Sequence, residues 1–341
     1  MYIFPPSAEN PSISSYGIIN KPRNLILDGG FQVWDESRSM PIVALTGYTG
    51  ATMWSYITNA ANQYTISRQP GITTNARYSM RLQRDAGSTN VNGVYLLFDM
   101  ETENSIPLAG KELTLSCTVR AGANMSNPIV LLRLLSGTGT DQSIRTGYTG
   151  QTNFGQVVPS VSTTPARIMV RGLVPANATQ VGVQLVGGVL GTAGAADYWE
   201  IENIQLELGP APSNFQVANF GDLRNKINRY YYKTFPYDTA PAQGAAVAGS
   251  LRIVQYVVAG AAQNGPCFLF PGGRMRVAPV ATMFNPNAVN AQVRNATIGV
   301  DCTASLFGSI SEVGANPLFT TAVGSAVNNI NTVAFTLDAR L

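Results

Sequence analysis

The feature that most constrains this chain is a period of two that recurs in short runs from Asn24 onward. In ELTLSCTVR, Leu113, Leu115, Cys117 and Val119 fall on one side, and Thr114, Ser116, Thr118 and Arg120 on the other. Successive side chains of a strand point to opposite faces, so this run reads as a strand with one face buried. RYSMRLQR turns Tyr78, Met80 and Leu82 inward, GVYLLFDM turns Val94, Leu96, Phe98 and Met100, and TQVGVQLV turns Val181, Val183 and Leu185. Turn-rich segments such as RDAGSTNVNG and GLVPANAT separate the runs. Many short strands joined this way predict an all-β chain with an antiparallel sandwich.

In YWEIENIQLELG the period slips. Trp199 and Ile201 share one phase; Ile204, Leu206 and Leu208 share the opposite one. A β-bulge near Glu202–Asn203 would keep both sets on the core side. One segment breaks the strand pattern. In FGDLRNKINRYYYKTF, Leu223, Ile227, Tyr230 and Tyr231 fall at helical spacing, with Asp222 as the expected N-cap. Tyr230, Tyr231 and Tyr232 cannot share one side of a helix. Two are expected at a domain interface and one against another subunit.

A chain of 341 residues is too long for one ordinary core. The helix marks the boundary. We expect an extended N-terminal docking arm at 1–23, rich in Pro, Ser and Asn and without periodicity. The sandwich follows at 24–218, a linking helix at 219–235 and a second β-rich domain at 236–341. The last strand of that domain turns Val333, Phe335 and Leu337 to one side.

Composition narrows the function. Only 12% of residues are charged, against about a quarter in an average soluble domain. A surface this poor in charge does not repel copies of itself. Net charge is +3 with no basic stripe, so nucleic acid is not expected as a partner. There is no histidine, which removes Ser-His-Asp and Cys-His catalysis and every His-based metal site. Cys117, Cys267 and Cys302 read as free thiols of a reducing compartment, with a Cys267–Cys302 bridge as the alternative. The start MYIFPPSAENPSISS lacks a signal-peptide pattern, and Arg252 and Gln255 interrupt the longest apolar stretch. A product made in the cytoplasm, with no membrane partner, is expected.

TGYTGATMW at Thr46–Trp54 returns as TGYTGQTNF at Thr146–Phe154. Nothing else recurs at that spacing, so duplication is rejected. Each copy is a Gly/Thr turn that leads to an aromatic. Trp54, Tyr48 and Tyr148 are the candidate glycan contacts, because aromatic faces suit the C–H faces of pyranoses. The competing reading is a core anchor. Trp34 and Trp199 are read as core residues. Asp99, Glu101 and Glu103 would share a face on a strand and could serve as a glycosidase pair or hold Ca²⁺. A solvated strand end explains them as well and is preferred.

NLILDGGFQVW, YTGATMW, LAGKELTLSCTVRA and WEIENIQLELGPAPSNF stand in this order between Asn24 and Phe215. In that order they resemble the jelly-roll module of tailed-bacteriophage virion proteins, which is similar to carbohydrate-binding, galactose-binding-like domains. RNKINRYYYKTF, RMRVAP and the terminal LDARL are similar to later segments of the same proteins. Two departures stand out. DESRSM replaces a basic, Gly-containing turn after the first motif, and ATM replaces an acidic-basic pair before Trp54. The resemblance implies a non-enzymatic structural protein of a virion: fibre, collar, baseplate or decoration component. It implies a homotrimer that docks other virion proteins through its arm. A glycan-binding adhesin for host surface polysaccharide ranks second, and a depolymerase using Asp99 and Glu101 third. No cofactor is expected. Related modules hold a structural Ca²⁺ near their chain ends, where Asp28 and Asp197 are the candidate ligands.

Overall fold

The structure, a computed structural model, describes residues 24–237, 239–245 and 248–341. The expected arm at 1–23 lies outside the described residues. The chain is all-β. Its first twelve strands are β1 (Ser39–Pro41), β2 (Thr46–Tyr48), β3 (Ser55–Thr58), β4 (Tyr64–Pro70), β5 (Tyr78–Arg84), β6 (Val94–Asp99), β7 (Glu112–Ala121), β8 (Val130–Gly137), β9 (Thr152–Val157), β10 (Ala166–Leu173), β11 (Gln180–Gly187) and β12 (Tyr198–Leu208). They form two six-stranded sheets, β1-β4-β5-β12-β7-β10 and β2-β3-β6-β11-β8-β9. Every pairing is antiparallel. Apart from the hairpins β2-β3, β4-β5 and β8-β9, consecutive strands alternate between the sheets, which is the crossing pattern of a jelly roll.

The period-two runs explain the core. Leu113, Leu115, Cys117 and Val119 of β7 are fully buried, and so are Val181, Val183 and Leu185 of β11. They belong to one apolar cluster with Leu96 and Phe98 of β6 and Leu132 and Leu134 of β8. The bulge lies in β12. Its register against β7 shifts between Glu202 and Gln205, and Asn203 adopts φ 53°. Trp199, Ile201, Ile204 and Leu206 all stay in the core. Leu208 does not, because the chain leaves the sheet at Gly209, and its side chain is exposed.

The linking helix is shorter than expected, Phe220–Asn228. Its cap is Asn219, whose side chain accepts hydrogen bonds from the Gly221 and Asp222 amides; Asp222 sits in the first turn. Leu223 and Ile227 pack on Val33. The tyrosine run is not helical. Tyr231–Lys233 is strand β13, and it pairs with the last strand of the chain. Strand alternation, not helical spacing, sorts its side chains. Tyr231 and Lys233 turn to one side, while Tyr232 turns to Phe268 and Phe335 on the other.

The second β-region adds β14 (Leu251–Val254), β15 (Ala262–Asn264), β16 (Phe268–Leu269), β17 (Val280–Phe284), β18 (Arg294–Asn295), β19 (Val300–Asp301), β20 (Thr303–Gly308), β21 (Gly314–Thr320) and β22 (Ile330–Asp338). β22 is its spine and pairs with β13, β14, β17 and β18. Val333, Phe335 and Leu337 are fully buried, as their alternation predicts. All three cysteines are free: Cys117 and Cys302 are buried and Cys267 is exposed, so the bridge alternative is excluded.

Candidate functional site

The two TGYTG copies lie on opposite edges of one sheet. The first forms edge strand β2 and the turn after it. The second is a loop that leads into edge strand β9. One sequence thus takes two conformations. In the first copy Gly50 is required by closeness, since a Cβ there would lie 1.9 Å from the Ser37 oxygen. In the second, Gly147 and Gly150 are required by φ of 86° and 59°. Different local demands on the same letters agree with the rejection of duplication.

The two loops nonetheless meet above the outer face of that sheet. The Arg145 guanidinium lies 4.2 Å from the centre of the Tyr48 ring, and that of Arg340 lies 3.5 Å from it. The Tyr48 hydroxyl accepts from Arg145 Nη2 at 2.8 Å and donates to the Leu341 oxygen at 2.7 Å. Tyr148 donates its hydroxyl to Asp99 at 2.6 Å and packs among Leu97, Leu135 and Ile144. Asp99 also accepts from Ser143 Oγ at 2.7 Å and the Ile144 amide at 2.9 Å. Burial pushes the Asp99 carboxyl above its ordinary range against these bonds, and burial pushes the Tyr148 hydroxyl well up.

None of the three expected glycan contacts offers a stacking face. Trp54 is fully buried between Phe31 and Phe98, with ring centres 5.5 and 5.4 Å away, and its indole N–H donates to the Asp28 carbonyl. Tyr148 is buried under its own loop, and two guanidinium groups already stack on Tyr48. These residues are posts of the fold. The carboxylates are corrected too. β6 ends at Asp99, Thr102–Ser105 is a helical turn, and the three acids do not share a strand face. Glu101 is buried and held by Arg229 through two bonds of 3.2 and 3.0 Å, while Glu103 is exposed.

Asp28 and Asp197 do not form a shared calcium site. The Gly29 carbonyl binds the Ile204 amide, whereas Asp197 precedes the start of β12, seven residues earlier. At about 3.3 Å per residue the two acids stand roughly 20 Å apart. Asp28 accepts from the Gln32 and Val33 amides, and Asp197 is paired with the buried Arg84 at 3.0 Å. Burial raises the Asp28 carboxyl from 3.8 to about 7, although the two amides pull it down. Among the described residues, no group of three or more His, Cys, Asp or Glu is placed to hold a metal.

Two features escaped the sequence. The first is a buried knot between the sandwich and the helix and strand that follow it. Asp35 accepts from Arg224 Nη1 at 2.6 and 2.7 Å and from Thr52 Oγ1 at 2.9 Å, with Lys233 Nζ 3.8 Å away. Beside it, Arg340 pairs with Glu36 at 3.0 Å and Asp338 at 2.7 Å. The unusual acids of DESRSM are therefore the anchors for Arg224, Lys233 and the LDARL end.

The second is the part of the outer sheet face that the 141–149 loop leaves open. Register puts Ile57, Tyr95, Val186 and Leu131 in one row across β3, β6, β11 and β8. A second row carries Gln184, Arg133 and Gln156, with Arg133 donating to both glutamines at 2.9 and 3.0 Å. Tyr95, Leu131, Arg133 and Val186 are half-buried, and Gln156 is exposed. A half-exposed aromatic beside a locked row of amide and guanidinium groups suits a flat ligand rich in hydroxyls. Alternation in GVYLLFDM places Tyr95 on this outer face, so a signal for it was present in the sequence.

No family model and no curated protein matches the sequence. Solved structures match distantly. The enzymatically active domain of tailspike protein 4 of bacteriophage CBA120 is 11% identical with a TM-score of 0.32, covering 46% of this chain and 19% of its own. TmCBM61, solved with β-1,4-galactotriose, is 12% identical with a TM-score of 0.31, covering 55% of this chain and 100% of its own. The xylan-binding CBM22-1 domain of Paenibacillus barcinonensis Xyn10C is 12% identical with a TM-score of 0.30, covering 53% and 98%. At this distance the fold rests on the chain's own strand pairing.

Proposed function

We propose that this chain is a non-enzymatic glycan-recognition protein, with the open outer face around Tyr95 as its binding surface. One observation carries the reading: Tyr95 stands half-exposed beside Arg133, Gln184 and Gln156, which are already fixed to one another. Groups held before the ligand arrives do not have to be ordered by it. The carboxylates that a glycosidase would need are committed elsewhere, Asp99 to three donors and Glu101 to Arg229. Affinity electrophoresis through gels containing xylan, galactan or bacterial surface polysaccharide tests the proposal. Retardation by at least one polysaccharide is expected, and Tyr95→Ala should abolish it while melting unchanged. Retardation that survives Tyr95→Ala would remove this face from the account.

A second reading, assembly into a virion, has its own observation. Residues 236–341 carry only nine charged side chains. The same region exposes Val280 at 71%, Val289 at 84% and Val323 at 84%. Exposed apolar side chains with few charges between them favour contact with further protein. The order of motifs supplies the setting, a fibre, collar or decoration component docked through residues 1–23, with the C-terminal domain joining copies. Light scattering on the purified chain should give a trimer; a monomer at micromolar concentration would argue against this arrangement.

A further inference from the structure

A cleft of about 360 Å³ opens where the end of β6 meets the linking helix. Leu25, Leu27, Met53 and Met100 line it, with Lys226 from the helix and Tyr230 from the turn after it. Ile26 belongs to the sandwich core, whereas Leu25, Leu27 and Met53 are only half-buried. The volume lies within the about 300–1,000 Å³ of a built binding pocket. Leucine and methionine side chains left half-covered in one concave place mark a surface that a further apolar group covers.

The chain carries such a group beside the mouth. Asn24 also lines the cleft, and residues 1–23, outside the described residues, join the body there. The sequence from Tyr16 to Asn24 reads YGIINKPRN. The fixed φ of proline suits the second position of a type I or II turn, so residues 21–24 read as a reversal. A reversal there lays residues 16–19 back over Leu25 and Leu27. Five extended residues span at most about 18 Å, so Ile19 stays within reach of the cleft even without a tight turn. YIF at residues 2–4 is the other apolar run before Asn24. Seating it would close a loop of about twenty residues, at a higher cost in chain entropy. A segment tethered this closely also presents itself at roughly millimolar effective concentration, ahead of a free ligand of equal affinity.

We propose that residues 16–19 of this chain occupy the cleft, with Ile18 seated against Leu27 and Met53. The segment is an anchor that fixes where the arm leaves the body, and residues 1–15 remain to contact other protein. The inference uses neither the Tyr95 face nor glycan binding, and it stands whether or not the chain assembles into a virion.

The test uses the full chain with Ser15→Cys and Cys267→Ser, spin-labelled at residue 15 and carrying methyl-labelled methionines. Cys117 and Cys302 are buried, so the label goes to the new thiol. Broadening of the Met53 and Met100 methyl signals is expected. Met125 should stay sharp. Its amide binds Gly122, which binds Tyr198 at the start of β12, whereas Leu25 binds Leu206 near the other end. At about 3.3 Å per residue the two ends stand roughly 25 Å apart. Ile18→Asp with Ile19→Asp should remove the broadening and leave the Met125 signal in place, which marks an intact body. Trypsin gives a second readout, since it cuts after Arg23 but not between Lys21 and Pro22. The double variant should be cut at Arg23 about tenfold faster or more, the scale of losing one buried aliphatic side chain. Three results would overturn the proposal. One is sharp Met53 and Met100 signals in the spin-labelled chain. Another is equal cleavage at Arg23 with and without the two aspartates. The third is equal broadening when spin label and methyl label sit on separate chains mixed together, which would give the cleft to the arm of a second copy.

Discussion

At Asp35 one carboxylate of the sandwich faces two buried cations, Arg224 of the linking helix and Lys233 of β13. Removing one member of such a group leaves the others charged and unpaired, which costs about 3–5 kcal/mol. Asp35→Ala should therefore destabilise the whole chain by that order in urea denaturation, and an effect below 1 kcal/mol would show that the knot is dispensable. Asp28 makes a different prediction. Its carboxyl is raised from 3.8 to about 7 by burial, so the folded chain holds a proton that the unfolded chain releases. That contribution is complete below about pH 4 and is lost as the pH rises to about 7, by an amount on the order of 4 kcal/mol. Salt bridges move stability the other way, so the comparison must be with Asp28→Asn, in which this slope should vanish. A slope identical in both proteins between pH 4 and 7 would refute the assignment. The three aromatics first singled out, Trp54, Tyr48 and Tyr148, show why residue roles were hard to read. Their burial is decided by contacts such as Tyr48 with Leu341, which no local pattern carries.

Among elements, the long strands of the sandwich were legible because one face is buried and the other is not. The bulge in β12 was legible for the same reason, since only an inserted residue reconciles Trp199 and Ile201 with Ile204 and Leu206. Its backbone imposes a requirement. Asn203 sits at φ 53°, which asparagine tolerates and a β-branched residue does not. Asn203→Val should cost about 1–3 kcal/mol and Asn203→Gly far less; equal losses would mean that the side chain, not the backbone, is what matters. The end of the linking helix was not legible. KINRYYYK fits a helical spacing and a short strand equally well, and the choice falls to the strand because β22 supplies the partner for Tyr231–Lys233. The two- and three-residue strands of the second domain are too short to show a period at all.

For the molecule as a whole, the sandwich and the C-terminal domain are joined by buried charges and not by a flexible tether. Arg224, Lys233, Arg276 and Arg340 each reach an acid or carbonyl of the sandwich. The Tyr95 face is thus carried on the same frame as the charge-poor C-terminal region. The proposed activity is recognition without chemistry. The most direct measurement holds the protein overnight with a polysaccharide it retains in affinity electrophoresis, and follows bound protein and newly formed reducing ends together. Stable binding with no new reducing ends, lost in Tyr95→Ala, is the predicted result. Reducing ends that accumulate in the wild type and disappear in Asp99→Asn or Glu101→Gln would contradict it and make the chain a depolymerase.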